Sequence, residues 1–320
     1  MDTTVKKQPT ISIVVPVFNE EENVLPLYQT IRDTCDTLGR TYEIVFVDDG
    51  SRDRTIANLE EIYRQDHRVK VVRFRKNYGQ TAAMSAGFEY ARGEIIISMD
   101  GDLQNDPTDI PLLLHKLDEG FDVVCGWRKN RQDKFWTRRL PSILANWIIG
   151  RVTGVRIHDN GCSLKAYRAS VIKRVALYGE MHRFIPAMAA QADARIAEII
   201  VNHHPRRRGK SKYGLGRVWR VVLDIITVKM ITGFATRPGL WFGSLSALFL
   251  LLGLATLMTG GMAYAGRFLE EWMVISTVAF LFLFLGGHLV ALGILGELAM
   301  RTGNYVPGAG LVRVVQPQRR

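Results

Sequence analysis

The stretch ISMDGDLQNDP, residues 97–107, places acidic side chains directly after an apolar, strand-like run. Asp100 and Asp102 point to the same side of an extended chain, and Gly101 between them permits close approach of the backbone. Adjacent carboxylates repel each other unless a cation lies between them, and hard oxygen ligands suit Mg²⁺ or Mn²⁺. The alternative is a solvated turn. Asp106 and Pro107 are predicted to be the N-cap and the first position of the next helix.

Apolar runs alternate with mixed segments on both sides of this stretch. The apolar, β-branched runs between residues 11 and 127 are ISIVVPVF, YEIVFVDD, VKVVRFR, EIIISMD and FDVVCGW. Helix-like segments lie between them, near residues 22–38, 53–65, 80–91 and 108–119. This alternation predicts an α/β fold with βαβ units on a mostly parallel sheet.

Polar or small residues follow four of these strands. They are Asn19-Glu20, Asp48-Asp49-Gly50-Ser51, Lys76-Asn77-Tyr78-Gly79 and Asp100-Gly101-Asp102. Ligands of such sheets bind beyond the carboxyl ends of the strands, so an acid-rich binding edge is predicted there. No GxGxxG follows the first strand, and RRRGKS lacks the earlier glycine of a P-loop, which disfavours dinucleotide and Walker-type binding.

The composition points to an anionic partner. The 320 residues carry a formal net charge of +11 with a pI near 9.7, which suits nucleic acid, acidic lipid headgroups or a phosphorylated substrate. The three cysteines are far apart and show no CxxC spacing, so we expect a reducing compartment without a disulfide framework or zinc cluster.

Two long apolar runs follow residue 237. Residues 238–266 are 29 consecutive uncharged residues, and residues 272–296 contain only His288 as a titratable group. Each run can cross a hydrocarbon core of about 30 Å, which needs roughly 20 apolar residues. Buried helices of a soluble domain are the alternative, although those normally show a polar stripe. Gly239 and Gly243 form a GxxxG pattern that could pack another helix.

The charges around the apolar runs predict the membrane orientation. The connection RFLEEW has one basic and two acidic residues, whereas the tail after Glu297 carries four arginines and no acid. The positive-inside rule therefore predicts that the N-terminal part and the C-terminal tail are both cytoplasmic. The N-terminus lacks the apolar stretch of a signal peptide.

Six ordered motifs resemble those of a known family. They are VVPVFNEEENV, VFVDDGSRDRT, NYGQTAAMSAG, DGDLQNDP, DNGCSLKAYR and RRRGKSKYG, followed by two membrane spans. Together they resemble glycosyltransferase family 2, and more narrowly the bacterial polyprenyl-phosphate hexose transferases of the bactoprenol glucosyltransferase type, relatives of dolichol-phosphate mannose synthase. The resemblance covers roughly residues 10–300. It implies a GT-A fold, in which a Rossmann-like nucleotide-binding half continues into an acceptor half.

The resemblance also implies roles for the residues at the strand ends. Pro16, Asn19 and Glu20 would shape the nucleoside pocket, and Asp48 or Asp49 would accept a hydrogen bond from the base. Asp100, Asp102 and Gln104 would hold Mg²⁺ or Mn²⁺ and the nucleotide diphosphate, with Asp102 acting in catalysis. Two structural alternatives stay open. Glu20 to Glu22 could cap the first helix, and residues 48–51 could form only a turn.

Two basic segments suit negatively charged substrates. Residues 126–156 hold eight Lys or Arg against one acid, and residues 203–220 hold seven against none. A nucleotide diphosphate and a lipid phosphate in one cleft need cations to offset their repulsion. By resemblance, the phosphate and acceptor ligands are Arg128, Arg131, Arg207, Lys210, Ser211, Lys212 and Tyr213, with Arg206 and Arg208 as alternatives to Arg207. The alternative is a solvated face that lies on anionic lipid.

Asp159, in HDNGCSLKAYR, matches a carboxylate that the family places beside the reacting atoms and that is often named the general base. A phosphate monoester has a second pKa near 6 and therefore has little proton to surrender at neutral pH. The alternatives are that Asp159 orients the acceptor, holds Lys165 or Arg168, stabilises charge on the sugar, or only forms a turn. His158 and His204 are expected to be surface or supporting residues, because they lack metal-ligand spacing.

The chain is thus predicted to have four parts. They are a GT-A domain at 1–214, an interfacial amphipathic helix region at 215–237, two transmembrane helices at 238–300 and a basic cytoplasmic tail at 301–320. An interfacial helix would bring the active site to the lipid headgroup, and a buried helix of the soluble domain is the alternative. A homo-oligomer is compatible with this arrangement.

The resemblance implies an inverting hexose transfer from a nucleotide sugar to undecaprenyl phosphate at the cytoplasmic face of the inner membrane. UDP-glucose is the first donor expected, and GDP-mannose, a UDP-N-acetylhexosamine or an aminoarabinose donor are alternatives. A processive polysaccharide synthase is disfavoured because the QxxRW motif is absent. A membrane-anchored basic binding protein would leave the ordered acids unexplained, and a nucleic-acid partner is not expected because such binders interleave aromatic residues with their basic patches.

Overall fold

The computed structural model describes residues 9–129, 143, 146–147, 149–151, 154–175, 177, 181–191, 193–205, 238–266, 269–302 and 312–314. The chain divides into two compact units, with boundaries near residues 228 and 305. Residues 312–314, after the second unit, belong to the first unit.

The first unit contains a mixed sheet flanked by helices. Its described strands are β1 (Ile11–Val17), β2 (Tyr42–Asp48), β3 (Val69–Phe74), β4 (Ile95–Ser98), β5 (Val123–Trp127), β6 (Lys165–Arg168), β7 (Ile196–Ile200) and β8 (Val312–Val314). Its described α-helices are α1 (Val24–Asp36), α2 (Thr55–Gln65), α3 (Gln80–Tyr90), α4 (Ile110–Asp118), α5 (Ala169–Ile172) and α6 (Ile185–Gln191). Short 3₁₀ helices cover Pro107–Asp109 and Met181–Phe184.

The strand order in the sheet is β7-β5-β6-β4-β1-β2-β3-β8. Strands β4, β1, β2 and β3 are parallel neighbours, and β5 is parallel to β7. Strand β6 runs antiparallel between β4 and β5, and β8 adds an antiparallel edge beside β3. The parallel part agrees with the alternation of strands and helices in the sequence, and the predicted α/β class is confirmed.

Burial on both faces explains why the central strands are continuous apolar runs. All seven residues of β2 are buried, and β1 is buried except at Pro16. Helix α1 covers one face with Leu27 and Ile31, spaced four residues apart on one side of the helix. Each fully buried Leu or Ile side chain contributes about 1.5–3 kcal/mol relative to an exposed one.

The second unit is a hairpin of two helices, α7 (Pro238–Ala265) and α8 (Leu269–Thr302). Each contains a span of 28 residues long and apolar enough to cross a membrane, with mean hydropathies of 2.0 and 2.4. Only 11% and 22% of their most apolar windows are buried within the protein. Such an exposed apolar surface is expected against lipid and disfavours the alternative of a buried soluble core.

Small residues bring the two helices together. A Cβ atom on Gly253 would lie 2.7 Å from Leu283, and one on Gly286 would lie 2.8 Å from Leu250. Ser246 donates a hydrogen bond of 2.8 Å to the Gly286 carbonyl across the hairpin. Gly243 of the GxxxG pattern has no neighbouring atom within 4 Å of its Cβ position, so it does not contribute to this contact.

The sequence predicted β1 to β5, α1 to α4 and the two apolar helices closely, whereas β6, β7, α5 and α6 were not predicted. The boundaries of the expected interfacial helix, residues 215–237, lie outside the described residues and stay predictions. Within the tail, residues 312–314 join the sheet as β8, which the sequence did not predict.

Candidate active site

The loops after β1 and β2 are linked by hydrogen bonds at the carboxyl edge of the sheet. Asn19 has a φ of 51°. Its side-chain Oδ1 accepts a hydrogen bond of 2.8 Å from the Arg52 backbone amide, and its backbone amide donates one of 2.9 Å to Ser51 Oγ. The amide of Glu20 donates to Thr55 Oγ1, and its carboxylate accepts from Asn23, the N-cap of α1. Asn19 and Glu20 therefore lie at the carboxyl edge of the sheet, and Glu20 also supports the start of α1, whereas their role in a nucleoside pocket, with Pro16, stays a prediction.

Of the two acids after β2, Asp49 is the one that holds the loop after β3. Its carboxylate accepts from the Tyr78 amide at 2.7 Å, the Gly79 amide at 2.9 Å and Asn77 Nδ2 at 2.9 Å. Gly50, with a φ of 72°, is required there because a Cβ would lie 2.5 Å from the Lys76 carbonyl carbon. Burial raises the pKa of Asp49.

Asp48 is fully buried and closes the turn by accepting from the Ser51 amide at 3.1 Å. Its Oδ2 has no hydrogen-bond partner among the described residues, and Arg73 Nε lies 3.9 Å from it. Burial raises the pKa of Asp48 as well. The turn interpretation thus fits Asp48 in part. That either acid accepts a hydrogen bond from the base of the nucleotide stays a prediction.

The loop after β4 holds the predicted metal ligands in a constrained conformation. Asp100 Oδ1 accepts a hydrogen bond of 2.7 Å from Gln80 Nε2. Asp102 Oδ1 accepts one of 3.2 Å from the backbone amide of Gln104. Leu103 has a φ of 61°, a left-handed conformation that costs energy for a non-glycine residue. Gly101 is packed so closely on β1 that a Cβ would lie 2.7 Å from Val17 Cγ1 and 3.2 Å from the Pro16 carbonyl oxygen.

The electrostatics of this loop fit a divalent cation. Burial, followed by repulsion from Asp102, raises the pKa of Asp100 to about 6. A cation between the two carboxylates would remove that repulsion. No group of three His, Cys, Asp or Glu side chains in the described part of the chain is spaced to hold a metal by itself. The two aspartates and Gln104 could therefore hold Mg²⁺ or Mn²⁺ together with oxygens of a substrate or water.

Asp159 is paired with Arg128, which follows β5. Arg128 Nε donates to Asp159 Oδ2 at 2.7 Å and Nη2 donates to Oδ1 at 3.0 Å, with Asp159 buried and Arg128 partly buried. Lys165 and Arg168, which were alternative partners of Asp159 in the sequence analysis, make other hydrogen bonds. Lys165 donates to the carbonyls of Asn160 and Cys162, and Arg168 donates to the Leu117 carbonyl.

Glu198, in the middle of β7, holds the same loop from its other side. Its Oε1 accepts from the His158 amide at 2.9 Å and lies 3.4 Å from the Asp159 amide, while its Oε2 lies 2.8 Å from His158 Nδ1. The sequence interpretation missed Glu198. The available signal was a single acid inside the apolar strand IAEII.

A cavity of about 1220 Å³ opens beside the Arg128–Asp159 pair. The residues that line it include Trp127, Arg128, Lys129, Ile143, Asn146, Trp147, Arg151, Arg156, Ile157, His158 and Asp159. Four cationic side chains and several apolar side chains thus face one space. This combination suits a ligand with both an anionic and an apolar part.

The start of the second basic segment contacts the loop after β4, residues 99–106, which holds the predicted metal ligands and is named the metal loop below. Asp106 caps the 3₁₀ helix through the Thr108 amide, as predicted, and also lies 2.9 Å from His204 Nε2. Asp109, which the sequence interpretation did not single out, accepts from the amide of Asn202 at 2.7 Å and from its side chain at 2.9 Å. His204 is thus a supporting residue of the metal loop.

Several predicted phosphate ligands lie outside the described residues. They are Arg131, Arg207, Lys210, Ser211, Lys212 and Tyr213. Of the predicted phosphate and acceptor ligands, the described part of the chain contains Arg128, which lines the cavity.

A mixed sheet of this order, with paired acids at the edge of its parallel strands, is the architecture of a GT-A glycosyltransferase. Solved structures of glucosyl-3-phosphoglycerate synthase from Mycobacterium tuberculosis share the fold. The structure with Mn²⁺ and UDP-glucose matches with a TM-score of 0.54 and 18% identity, over 69% of this chain and 79% of that chain. The structure with Mn²⁺, UDP and phosphoglyceric acid also gives a TM-score of 0.54.

The chain belongs to glycosyltransferase family 2, whose model matches residues 12–176. It is 47% identical to a dodecaprenyl-phosphate galacturonate synthase of Rhizobium johnstonii, over 80% of this chain and 75% of the relative. It is 40% identical to an undecaprenyl-phosphate 4-deoxy-4-formamido-L-arabinose transferase of Edwardsiella ictaluri, over 92% of this chain and 90% of the relative. The predicted class, a glycosyltransferase similar to polyprenyl-phosphate sugar transferases, is confirmed.

Proposed function

We propose that this membrane enzyme transfers one sugar from a nucleoside diphosphate sugar to polyprenyl phosphate. The observation that carries the proposal is the position of the Arg128–Asp159 pair. It lines a cavity that is both cationic and apolar, and the Arg128 charge partly opposes the burial and the Asp102 repulsion that raise the pKa of Asp100 in the metal loop. A donor diphosphate at the metal loop and a lipid phosphate in the cavity would therefore meet at this pair.

The relatives favour a donor other than the UDP-glucose expected from the sequence. Their names specify galacturonate and 4-deoxy-4-formamido-L-arabinose. We take UDP-galacturonate as the first donor to test, because the relative named for galacturonate is 47% identical. An aminoarabinose-type donor is the second.

In the proposed reaction, an oxygen of the lipid phosphate attacks the anomeric carbon of the donor sugar. A new carbon–oxygen bond forms while the bond from that carbon to the nucleoside diphosphate breaks, so the configuration inverts. The electron pair leaves with the diphosphate, where negative charge develops. A divalent cation bound by Asp100, Asp102 and Gln104 would stabilise that charge.

Asp159 is assigned an orienting role in this reaction. Both of its carboxylate oxygens accept hydrogen bonds from Arg128, so both are already engaged in the ion pair. The ionised lipid phosphate has no need of a strong base. Asp159 therefore fixes the Arg128 guanidinium, which can face the oxygens of a phosphate as the substrates approach.

The proposed location is the cytoplasmic face of the inner membrane. Helices α7 and α8 are two candidate spans, and an even number of spans returns the chain to its starting side. Strand β8, after both helices, lies in the same sheet as β1 to β7, in agreement with that topology. The positive-inside bias of the tail favours the cytoplasmic side.

The test is a transfer assay with the purified full chain in detergent. The protein is incubated with Mn²⁺, undecaprenyl phosphate and labelled UDP-galacturonate, UDP-glucose, GDP-mannose or an aminoarabinose donor, and the lipid fraction is extracted. We expect label in the lipid with UDP-galacturonate, lost when EDTA removes the metal. Label from UDP-glucose alone would overturn the donor assignment, and no lipid label from any donor would overturn the function.

A further inference from the structure

We propose that His158 is a contact for the acceptor phosphate and that Glu198 is the positioning residue that aims its ring. The inference deepens the proposed function and rests on it for the identity of the acceptor. It depends on three independent features: the hydrogen bonds to Glu198, the stacking on Trp127 and the chemistry of the cavity wall.

Glu198 fixes both the backbone and the ring of His158. One carboxylate oxygen accepts from the His158 amide at 2.9 Å, and the other lies 2.8 Å from Nδ1 of the ring. An ionised carboxylate can only accept, so Nδ1 is assigned the proton of this hydrogen bond. Imidazole geometry then directs Nε2 away from Glu198.

Trp127 holds the flat face of the same ring. The two ring centroids lie 4.3 Å apart with an angle of 17° between the ring planes. The His158 side chain nevertheless keeps 65% of its surface exposed. Glu198 and Trp127 already fix the exposed His158 ring. A ligand that binds to it therefore does not have to immobilise the side chain, which saves entropy.

The position of the His158 ring allows Nε2 to contact a ligand in the cavity. His158 lines the cavity together with Lys129, Arg151 and Arg156, and with the apolar side chains of Ile143 and Trp147. In the imidazolium form, in which Nδ1 and Nε2 both carry a proton, His158 can donate Nδ1–H to Glu198 and Nε2–H to a phosphate oxygen, while an apolar chain lies along the isoleucine and tryptophan. The cavity therefore suits the phosphate of a prenyl lipid better than a free sugar or a free anion.

His115 provides a matched control within the same unit. It lies 3.4 Å from Glu119 on the surface of α4, so it is also a histidine paired with a glutamate. The residues that line the cavity do not include it. Its substitution changes a His–Glu pair without changing the proposed site.

The experiment measures binding of farnesyl phosphate, farnesol and UDP to the full chain in detergent by isothermal titration calorimetry. The variants are H158F, which keeps a ring to stack on Trp127 but has no Nε2, and E198Q, with H115F and E119Q as controls. We expect H158F to weaken farnesyl phosphate binding about tenfold and E198Q about threefold, because hydrogen bonds to charged groups contribute most. Farnesol and UDP should bind all variants within about twofold of the wild type.

Unchanged farnesyl phosphate binding by both H158F and E198Q overturns the inference. An equal loss of UDP binding also overturns it, because His158 would then serve the nucleotide phosphates. If H158F lowers the thermal midpoint, farnesyl phosphate binding by E198Q decides, because that variant retains the imidazole ring of His158. A wild type that binds farnesyl phosphate through His158 but transfers no sugar would refute the proposed function and leave this inference standing.

Discussion

Arg128 and Asp159 form a bidentate ion pair, with hydrogen bonds of 2.7 and 3.0 Å, between residues 31 positions apart in the sequence. The exposed fractions of their side chains are only 13% and 4%. Gly161 packs against the pair, since a Cβ there would lie at ordinary contact distances of 3.4 Å from Arg128 Nη2 and 3.6 Å from Asp159 Oδ1. The pair is therefore a fixed part of the site before any substrate binds.

Asp159→Asn should reduce turnover about 100-fold, since the arginine that faces developing negative charge loses its orientation. It should also destabilise the protein by about 3 kcal/mol, because it leaves a buried guanidinium without its counter-charge. Donor affinity should change little. Transfer kinetics and thermal unfolding in detergent measure the two effects. Asp33→Asn, which breaks an exposed pair with Arg32, is the control. A variant that weakens only donor binding would contradict the assignment.

Asp102→Asn should abolish transfer while the protein still folds and inserts into membranes. The substitution removes one of the two carboxylates that could hold the cation, so Mn²⁺-dependent UDP binding should fall at least about tenfold. Calorimetry with UDP, with and without Mn²⁺, measures this directly. Asp118→Asn is the control, because Asp118 pairs with Arg40 at the surface. Full activity of Asp102→Asn would remove Asp102 from the metal site.

Arg68 makes stability depend on pH at the end of the sheet opposite the site. It donates to Asp66 at 3.0 and 2.9 Å and to Asp36 at 2.6 Å. Burial by itself would raise the pKa of Asp66, but the hydrogen bonds from Arg68 outweigh it and leave that pKa below its ordinary value. A lowered carboxylate pKa contributes stability above the unfolded pKa of about 3.9, and that contribution is lost as pH falls through the folded-state pKa.

Arg68→Met should therefore cost about 1 kcal/mol at pH 7, and the difference from the wild type should shrink as the pH falls below about 4. Thermal midpoints across the pH range measure it, with Arg64→Met as the exposed control. A difference that stays constant down to pH 2 would show that packing, and not charge, is responsible. Transfer activity at pH 7 should be unchanged.

The helix hairpin should tolerate a larger side chain at one glycine and reject it at another. Gly253→Val places a Cβ 2.7 Å from Leu283, whereas Gly261 on the same helix has no atom within 4 Å of its Cβ position. Overpacking of this kind costs about 2 kcal/mol. We expect a lower thermal midpoint for Gly253→Val and little change for Gly261→Val. Equal midpoints for both variants would mean that the helices do not pack through Gly253.

The sequence determined the features that depend on neighbouring residues. The alternation of apolar runs predicted five strands and four helices of the first unit, because period and burial are local properties of the chain. The length and composition of two apolar runs predicted the hairpin. The crowding of Asp100 and Asp102 predicted a cation site, because repulsion between adjacent carboxylates follows from their spacing.

Only the tertiary structure decided which groups are partners. Asp48 and Asp49 are adjacent in the sequence, yet the loop after β3 takes the carboxylate of Asp49 alone. Glu198 reaches His158 because β7 lies beside β5 in the sheet, although the two strands are not consecutive in the sequence. Hydrogen bonds form between groups within about 3 Å in space, and no local pattern specifies which distant strand will bring a partner that close.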